Sequence, residues 1–489
     1  MSVSSSSPVA ASSPPIVSSP TTRKHQQNCT ECKRLKRACN KGLPCDKCLK
    51  ADRTCEYRDP SDDGILGPIS AAKDIHSLTF GTLLDVLVNK PRVKEAVSMY
   101  FNGVNSWFTI VERATFDRDL EANWGSLKAE TSVLALCMAL VTYPPNQRTS
   151  KGMGDTAYPS TKAIMTLIRS KNPPSLQLLQ AELLVALYEF SHSMPHQACL
   201  SLGTCLQMTK TFGWHKPDFW SPERQISKPA ELKLCSILWW AIVYLDCLLN
   251  IADQDQTYTM YTPGLPWNVI IPLPENFDTP FGHDGEVQGF RDRHNDHIEG
   301  MVFPEATAAC YLRDVLQHLS NPGIPNAIDS KLIIGHAKDL WSAKWQAGDR
   351  SAAVGADFLA LMKLNYPGLM GMHDPMEFLM PNPSHTQAVS NTRTVIEVIH
   401  GKAGKLLQAD NHPNKSSIDP CWALAMCQAA LLLVWHGDDV FGDSSWRQKV
   451  TTLKMALDKV SRTWKVAEHF STRVQIAVDH RHTGHNAKP

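Results

Sequence analysis

Apolar residues recur at helical spacing through most of the chain from about residue 79 onward. One predicted helix covers residues 175–190, SLQLLQAELLVALYEF, where Ser175 follows two prolines and suits an N-cap. The periodicity of residues 196–216 stops at Gly213, which predicts a helix C-terminus there. A later helix is predicted to close at Gly437. This pattern indicates a body built from helices.

Two of the predicted helices are apolar on almost every face, which is typical of the centre of a core. They cover residues 230–250 and 419–437. The apolar run at 234–252 is long enough to cross a bilayer, but Asp246 in its interior favours a buried core helix. Strand signals are few. We therefore predict an all-α body and no membrane partner.

A last strong helix has apolar positions spaced four, three, four, three and four residues apart: Trp446, Val450, Leu453, Leu457, Val460 and Trp464. This repeat of about 3.5 residues is compatible with a homodimer seam. The run is shorter than three to four heptads, so we favour a helix packed within its own chain. A homodimer stays open at this point.

Other segments lack apolar periodicity. Residues 1–22 are rich in serine and proline and predict a disordered tail without the apolar segment of a secretory signal. Residues 59–78 predict a linker, and residues 471–489 a disordered tail. The all-α body is thus predicted over 79–470, after a small module at 23–58.

The small module contains six closely spaced cysteines, which form two C-x2-C-x6-C halves: Cys29, Cys32, Cys39, Cys45, Cys48 and Cys55. A zinc ion takes four ligands, so six thiolates can serve two ions when two of them are shared. This count favours a zinc-stabilised binuclear cluster. A three-disulfide framework would need an oxidising compartment, and a single four-cysteine site would leave two thiols unused.

Charge is divided unevenly along the chain. Residues 1–60 contain eleven Lys and Arg residues and five Asp and Glu residues. The remainder of the chain contains 38 Lys and Arg residues and 43 Asp and Glu residues. Within the module, residues 30–38 predict a short helix with Lys33, Lys36 and Arg37 on one face and Arg34 beside them. A basic helix of this size fits the DNA major groove, where Lys and Arg donate to guanine. Double-stranded DNA is the expected partner.

The module resembles the fungal binuclear zinc cluster family of transcription factors in three features: the cysteine spacing, the basic run KRLKRA, and Pro44 before the fourth cysteine. The resemblance implies that Cys29 and Cys45 bridge two zinc ions. One ion would take Cys32 and Cys39 as its other ligands, and the second would take Cys48 and Cys55. Segments such as YFNGVNSWFTIVERATF resemble the helical middle homology region of the same regulators.

The resemblance also implies roles for basic residues. Relatives read a short G·C-rich triplet with the third and fourth residues after the second cysteine, here Leu35 and Lys36. Lys36 is therefore the expected base-reading residue, with Arg37 beside it and help from Lys33 or Arg34. Phosphate contacts are expected from a second set: Lys41, Lys47, Lys50 and Arg53.

These features predict a nuclear, sequence-specific regulator of RNA polymerase II transcription, with DNA and the transcription machinery as partners. A metabolic pathway or biosynthetic gene cluster is the expected target. No G-x-S-x-G, H-E-x-x-H, G-x-G-x-x-G or phosphate-loop pattern occurs, so no catalytic residue is nominated and a non-enzyme is predicted. The alternatives are a helical enzyme or small-molecule effector-binding protein with an appended zinc module, and a protein adaptor whose DNA binding is weak.

Overall fold

The computed structural model divides the chain into two units, Met1–Lys73 and Asp74–Pro489. In the first unit it describes residues 28–29, 31–32, 35, 37–41, 45–51 and 55. In the second it describes residues 74–143, 153–253, 260–262, 304–320, 330–342, 351–370, 383–408 and 419–483. The predicted tail at 1–22 lies outside the described residues, as does the linker up to residue 73.

The first unit contains the short helix α1, Asp46–Leu49. The second unit is helical throughout the part that the structure describes, with no β-strand there, which confirms the predicted fold class. Its helices are α2 Ile75–Leu87, α3 Lys90–Asn102, α4 Arg113–Ala122, α5 Ala129–Thr142, α6 Met153–Lys171, α7 Leu176–Ser191, α8 Pro195–Phe212, α9 Pro222–Ser227, α10 Pro229–Ala252, α11 Pro304–Ser320, α12 Ser330–Ser342, α13 Ser351–Met370, α14 Pro383–Gln408, α15 Pro420–Phe441, α16 Ser445–Val460 and α17 Val466–His482.

Helix boundaries follow local capping chemistry. The Ser175 side chain accepts the Leu178 N–H at 3.2 Å and begins α7 as predicted. Gly213 ends α8 with φ of +82°, a left-handed conformation that favours glycine. Helix α2 begins after Asp74, whose carboxylate accepts the N–H groups of His76 and Ser77. The body therefore starts about four residues before the predicted position 79, because the linker prediction overlooked this acidic N-cap.

The prediction that α15 closes at Gly437 is wrong. The helix continues to Phe441 and ends at Gly442, whose φ is +72°. Gly437 lies inside the helix, where the indole of Trp446 on α16 packs directly against its Cα. This glycine therefore makes room for a neighbouring helix.

Four helices form the centre of the second unit: α5, α7, α10 and α15. Their residues are buried on nearly all faces, as the apolar pattern predicted for α10 and α15. Helices α10 and α15 are long and apolar enough to cross a membrane by length and composition. Since 83% of the apolar window of each is buried inside the protein, both fit the interpretation of core helices.

The apolar stripe of α16 faces its own chain. Helix α16 packs against α14, α15 and α17, and Leu453 and Leu457 in the stripe are fully buried. Trp464 lies beyond the end of the helix and meets Trp107 edge-to-face at 6.3 Å between ring centroids. The stripe is therefore an intramolecular core contact, and it is not available as a dimer seam.

The predicted disordered tail at 471–489 is wrong for residues 471–482, which belong to α17. Helix α17 buries Phe470, Val474 and Ala477, which lie at positions i, i+4 and i+7. The charged and polar residues between them hid this stripe from the sequence pattern.

Candidate metal centre and nucleic-acid interface

Four of the six module cysteines come together in the first unit. The sulfur atoms of Cys29, Cys32, Cys45 and Cys48 all lie within 4.8 Å of one another, and the four side chains are buried. The Sγ–Sγ distances are 3.7 Å for Cys29–Cys45, 3.6 Å for Cys29–Cys48 and 3.6 Å for Cys32–Cys45. A tetrahedral site with Zn–S bonds of about 2.3 Å has sulfur–sulfur edges of about 3.8 Å. The observed distances match such edges.

The two C-x2-C pairs share one local geometry. The Cys32 N–H donates to Cys29 Sγ at 3.4 Å, and the Cys48 N–H donates to the sulfur of Cys45 in the same way. A helical turn continues after each pair, with the Leu35 N–H bonded to the Glu31 carbonyl in the first half and α1 in the second. Each turn thus directs both thiols of its pair toward one centre.

The remaining two cysteines, Cys39 and Cys55, are half-buried and pack against the other four. Cys55 Sγ accepts the Cys45 N–H at 3.1 Å, and its thiol also contacts the thiols of Cys29, Cys45 and Cys48. Cys39 Sγ accepts the N–H of Lys41 at 3.4 Å. The structure therefore gathers all six predicted cysteines at one place.

Burial favours the protonated form of three of these thiols, those of Cys32, Cys48 and Cys55. Burial and the neighbouring sulfurs raise the pKa of Cys32 to about 12 and raise the pKa of Cys48 above its ordinary value. Burial disfavours the Cys45 thiolate as well, but hydrogen bonds from the Cys48 amide and from neighbouring thiols lower its pKa to about 6. Zinc binds thiolates, and its charge would offset the cost of deprotonating a buried sulfur cluster. The donor atoms, their spacing and their burial all fit zinc.

The structure describes half of the predicted DNA-binding residues. Arg37, Lys47 and Lys50 are exposed, and Lys41 is half-buried with φ of +59°. Lys47 lies on α1 and Lys50 directly follows it, and both side chains are exposed to solvent. The other four predicted contacts lie outside the described residues: Lys33, Arg34, Lys36 and Arg53.

Sequence reasoning missed the role of Asn40. Its Oδ1 accepts the N–H of Asp46 at 3.1 Å, which satisfies a free amide in the first turn of α1. Cys45 occupies the N-cap position of α1, and its sulfur also belongs to the thiol cluster. Asparagine is a common N-cap residue, but its distance of six positions from the helix gave no local signal.

Comparisons with known proteins agree with this geometry. Residues 27–64 match the fungal Zn(2)-Cys(6) binuclear cluster domain, which binds two zinc ions, and residues 97–284 match the fungal specific transcription factor domain. A segment of 134 residues, 27% of the chain, is 27% identical to "Transcription factor BOA15" of Botryotinia fuckeliana and covers 74% of that protein.

Both matched families are domains of transcription factors and neither is an enzyme family, in line with the predicted non-enzyme. The matched segments contain the six cysteines and the central helices α5, α7 and α10. The chain therefore belongs to the fungal binuclear zinc cluster transcription factors.

Proposed function

We propose that this transcription factor acts in the nucleus as a sequence-specific regulator of RNA polymerase II transcription. Its cluster would read a short G·C-rich triplet in the major groove, and the helical body would regulate that activity. The gathering of the six cysteines, with sulfur–sulfur distances of 3.6–3.7 Å within the buried four, carries the proposal. Target genes in a metabolic pathway or a biosynthetic gene cluster are proposed from the family resemblance alone.

Two ligand sets are proposed, with Cys29 and Cys45 shared by both zinc ions. Cys32 contacts both of these sulfurs, as a terminal ligand of the first ion should. Cys55 contacts Cys29, Cys45 and Cys48, the three other members of the second set. Cys39 would complete the first set. These contacts support a shared pair at the centre of the cluster.

The first half of the cluster is the better candidate for base reading. The halves repeat at an offset of sixteen positions, so Lys36 corresponds to Asp52 and Lys33 to Leu49. An acidic residue in the groove would repel the phosphates and lose the donor that guanine requires. The second half would therefore hold the backbone through Lys47 and Lys50, which are exposed.

The charge of the module supports a polyanionic partner. From Arg23 to Arg58 there are eleven basic and four acidic residues. Six thiolates and two zinc ions together contribute about −2, which leaves a net charge of about +5. This excess favours DNA over the adaptor hypothesis, and it predicts affinity that falls steeply as salt rises.

The test is selection of binding sites from random duplex DNA with the full-length protein, followed by two substitutions. Lys36→Ala should cost about 1–3 kcal/mol on the selected duplex and relax its sequence preference. Lys50→Ala should weaken selected and scrambled duplexes alike, because a phosphate contact carries no sequence information. Zinc content, measured for each variant, controls for loss of the cluster. Equal losses on both duplexes for Lys36→Ala would refute its assignment to base reading.

A further inference from the structure

Helix α1 is attached to the rest of the cysteine module at two of its cysteines. Cys45 Sγ lies 3.7 Å from Cys29 Sγ and 3.6 Å from Cys32 Sγ. Cys48 Sγ lies 3.6 Å from Cys29 Sγ. The Cys45 N–H also donates to Cys55 Sγ at 3.1 Å. These contacts all pass through positions 45 and 48, so they hold α1 along one line between the two cysteines.

Asn40 supplies a third attachment, which uses no cysteine. Its Oδ1 accepts the N–H of Asp46, the first residue of α1, at 3.1 Å. The Asn40 side chain is exposed and lies outside the buried sulfur cluster. Among the residues that the structure describes, no other hydrogen bond joins α1 to the loop between the two halves. A body held at two points can rotate about the line through them, and a third contact outside that line stops the rotation.

The expected phosphate-binding lysines lie on the opposite side of α1 from its cysteines. Lys47 and Lys50 each follow a cysteine by two positions, which places them about 200° around the helix from those cysteines. The cysteines are buried and both lysines are exposed, in agreement with this placement. A rotation of α1 about its cysteines would therefore swing the two lysines through a wide arc. Their position relative to the first half depends on the third attachment.

The sequence of the first half contains no equivalent acceptor. The offset of sixteen residues between the halves places Lys24 at the position that corresponds to Asn40, and Thr30 at that of Asp46. A lysine ammonium has three donors and no acceptor, so it cannot accept a backbone N–H. The acceptor therefore belongs to the second half alone, which is the half proposed to hold the DNA backbone.

We propose that Asn40 is a positioning residue of the DNA-binding module: it fixes the rotation of α1 and thereby holds Lys47 and Lys50 at the phosphate backbone. This role rests on the proposed function in DNA binding. It extends that function to a residue that is neither a zinc ligand nor a cation. It also specifies that Asn40 acts through the two lysines and not through the base-reading Lys36.

The first test measures the affinity of the full-length protein for the selected and the scrambled duplex over a range of salt concentrations. Each phosphate contact contributes about 0.9 to the slope of log affinity against log salt. Asn40→Ala should make this slope shallower by about 1 to 2, because one or both lysine contacts are lost. It should weaken both duplexes by the same factor and keep two zinc ions per chain.

Asn40→Asp tests rescue of the bond, because aspartate keeps an acceptor of the same length and caps helices as well as asparagine does. Its slope should equal that of the wild type, although its added negative charge lowers the affinity for every duplex. An unchanged slope for Asn40→Ala would overturn the proposal, as would equal slopes for the two variants. Loss of zinc from Asn40→Ala would also overturn it, since the residue would then maintain the cluster and not orient α1.

Combined substitutions test whether Asn40 acts through the lysines. Asn40→Ala should have no further effect on affinity or slope in a Lys47→Ala/Lys50→Ala background, because the contacts that it aligns are already absent. In a Lys36→Ala background it should weaken binding by the same factor as in the wild type. A full loss of affinity in the absence of both lysines would overturn the proposal, because Asn40 would then contact DNA itself or act on the first half.

Asn28→Ala is the matched control. Asn28 is an exposed asparagine directly before Cys29, and it makes no hydrogen bond with the other residues that the structure describes. It should keep the wild-type slope and zinc content, and a slope as shallow as that of Asn40→Ala would overturn the proposal. If the wild type selects no duplex, the proposed function fails. If it selects one and Asn40→Ala keeps its slope, the positioning role alone fails.

Discussion

Gly437→Ala should destabilise the body, although alanine is the better helix former. A β-carbon at position 437 would lie 2.6 Å from Cδ2 and 2.9 Å from Cβ of Trp446. Both atoms are too close to the helix backbone of α16 to move freely. The indole is also held at its far edge, where its Nε1–H donates to Asp438 Oδ1 at 2.7 Å and Arg481 lies over the ring at 4.4 Å.

The expected cost can be estimated from opposing effects. Alanine gains about 1 kcal/mol over glycine in a helix interior. Overpacking a rigid contact costs about 1–3 kcal/mol, and displacement of the indole would also weaken a hydrogen bond worth about 1 kcal/mol. The overpacking dominates because three atoms of one nearly fixed side chain meet the new methyl group. We expect a net loss of about 1–2 kcal/mol.

Gly401→Ala is the matched control. Gly401 lies within α14 on its exposed side, and a β-carbon there would meet nothing within 4 Å. This substitution should stabilise the protein by about 0.5–1 kcal/mol through helix propensity alone. Thermal unfolding of the full-length variants, followed by the helical circular dichroism signal, compares the two. A Gly437→Ala protein as stable as Gly401→Ala would refute the close contact between α15 and α16.

Three further outcomes are expected. A strong zinc chelator should abolish specific DNA binding in a mobility-shift assay while the helical signal stays nearly constant, and added zinc should restore binding; binding that survives chelation would contradict a metal-dependent module. The contribution of His192 should lower stability by about 2 kcal/mol between pH 7 and pH 5, because burial lowers the folded pKa of His192 to about 4 whereas the unfolded histidine takes up a proton near 6.5. His192→Phe should flatten this fall in unfolding experiments across the same pH range, and an unchanged slope would argue against a buried neutral imidazole. Leu453→Glu should cost about 3 kcal/mol or more in thermal unfolding, because it buries a charge inside the chain; dissociation of a dimer without loss of stability would contradict the intramolecular packing of α16.

Local signals predicted the parts of the fold that depend on neighbouring residues. The hydroxyl of Ser175 and the left-handed backbone of Gly213 mark helix ends through contacts within one turn, so the sequence predicted both. The cysteine module was predictable for the same reason. Its ligands lie within 27 residues, and their number and spacing are dictated by zinc coordination.

Long-range packing decided the features that the sequence did not predict. Gly437 lies within α15 and Gly442 at its end, five residues later, and local propensity does not distinguish a helix end from a glycine that admits an indole. The two glycines differ in their contact with Trp446, which follows a tight turn and packs against Gly437 of α15. Helix α17 was missed because it has few buried positions, and these form a recognisable core face only through their packing against α15.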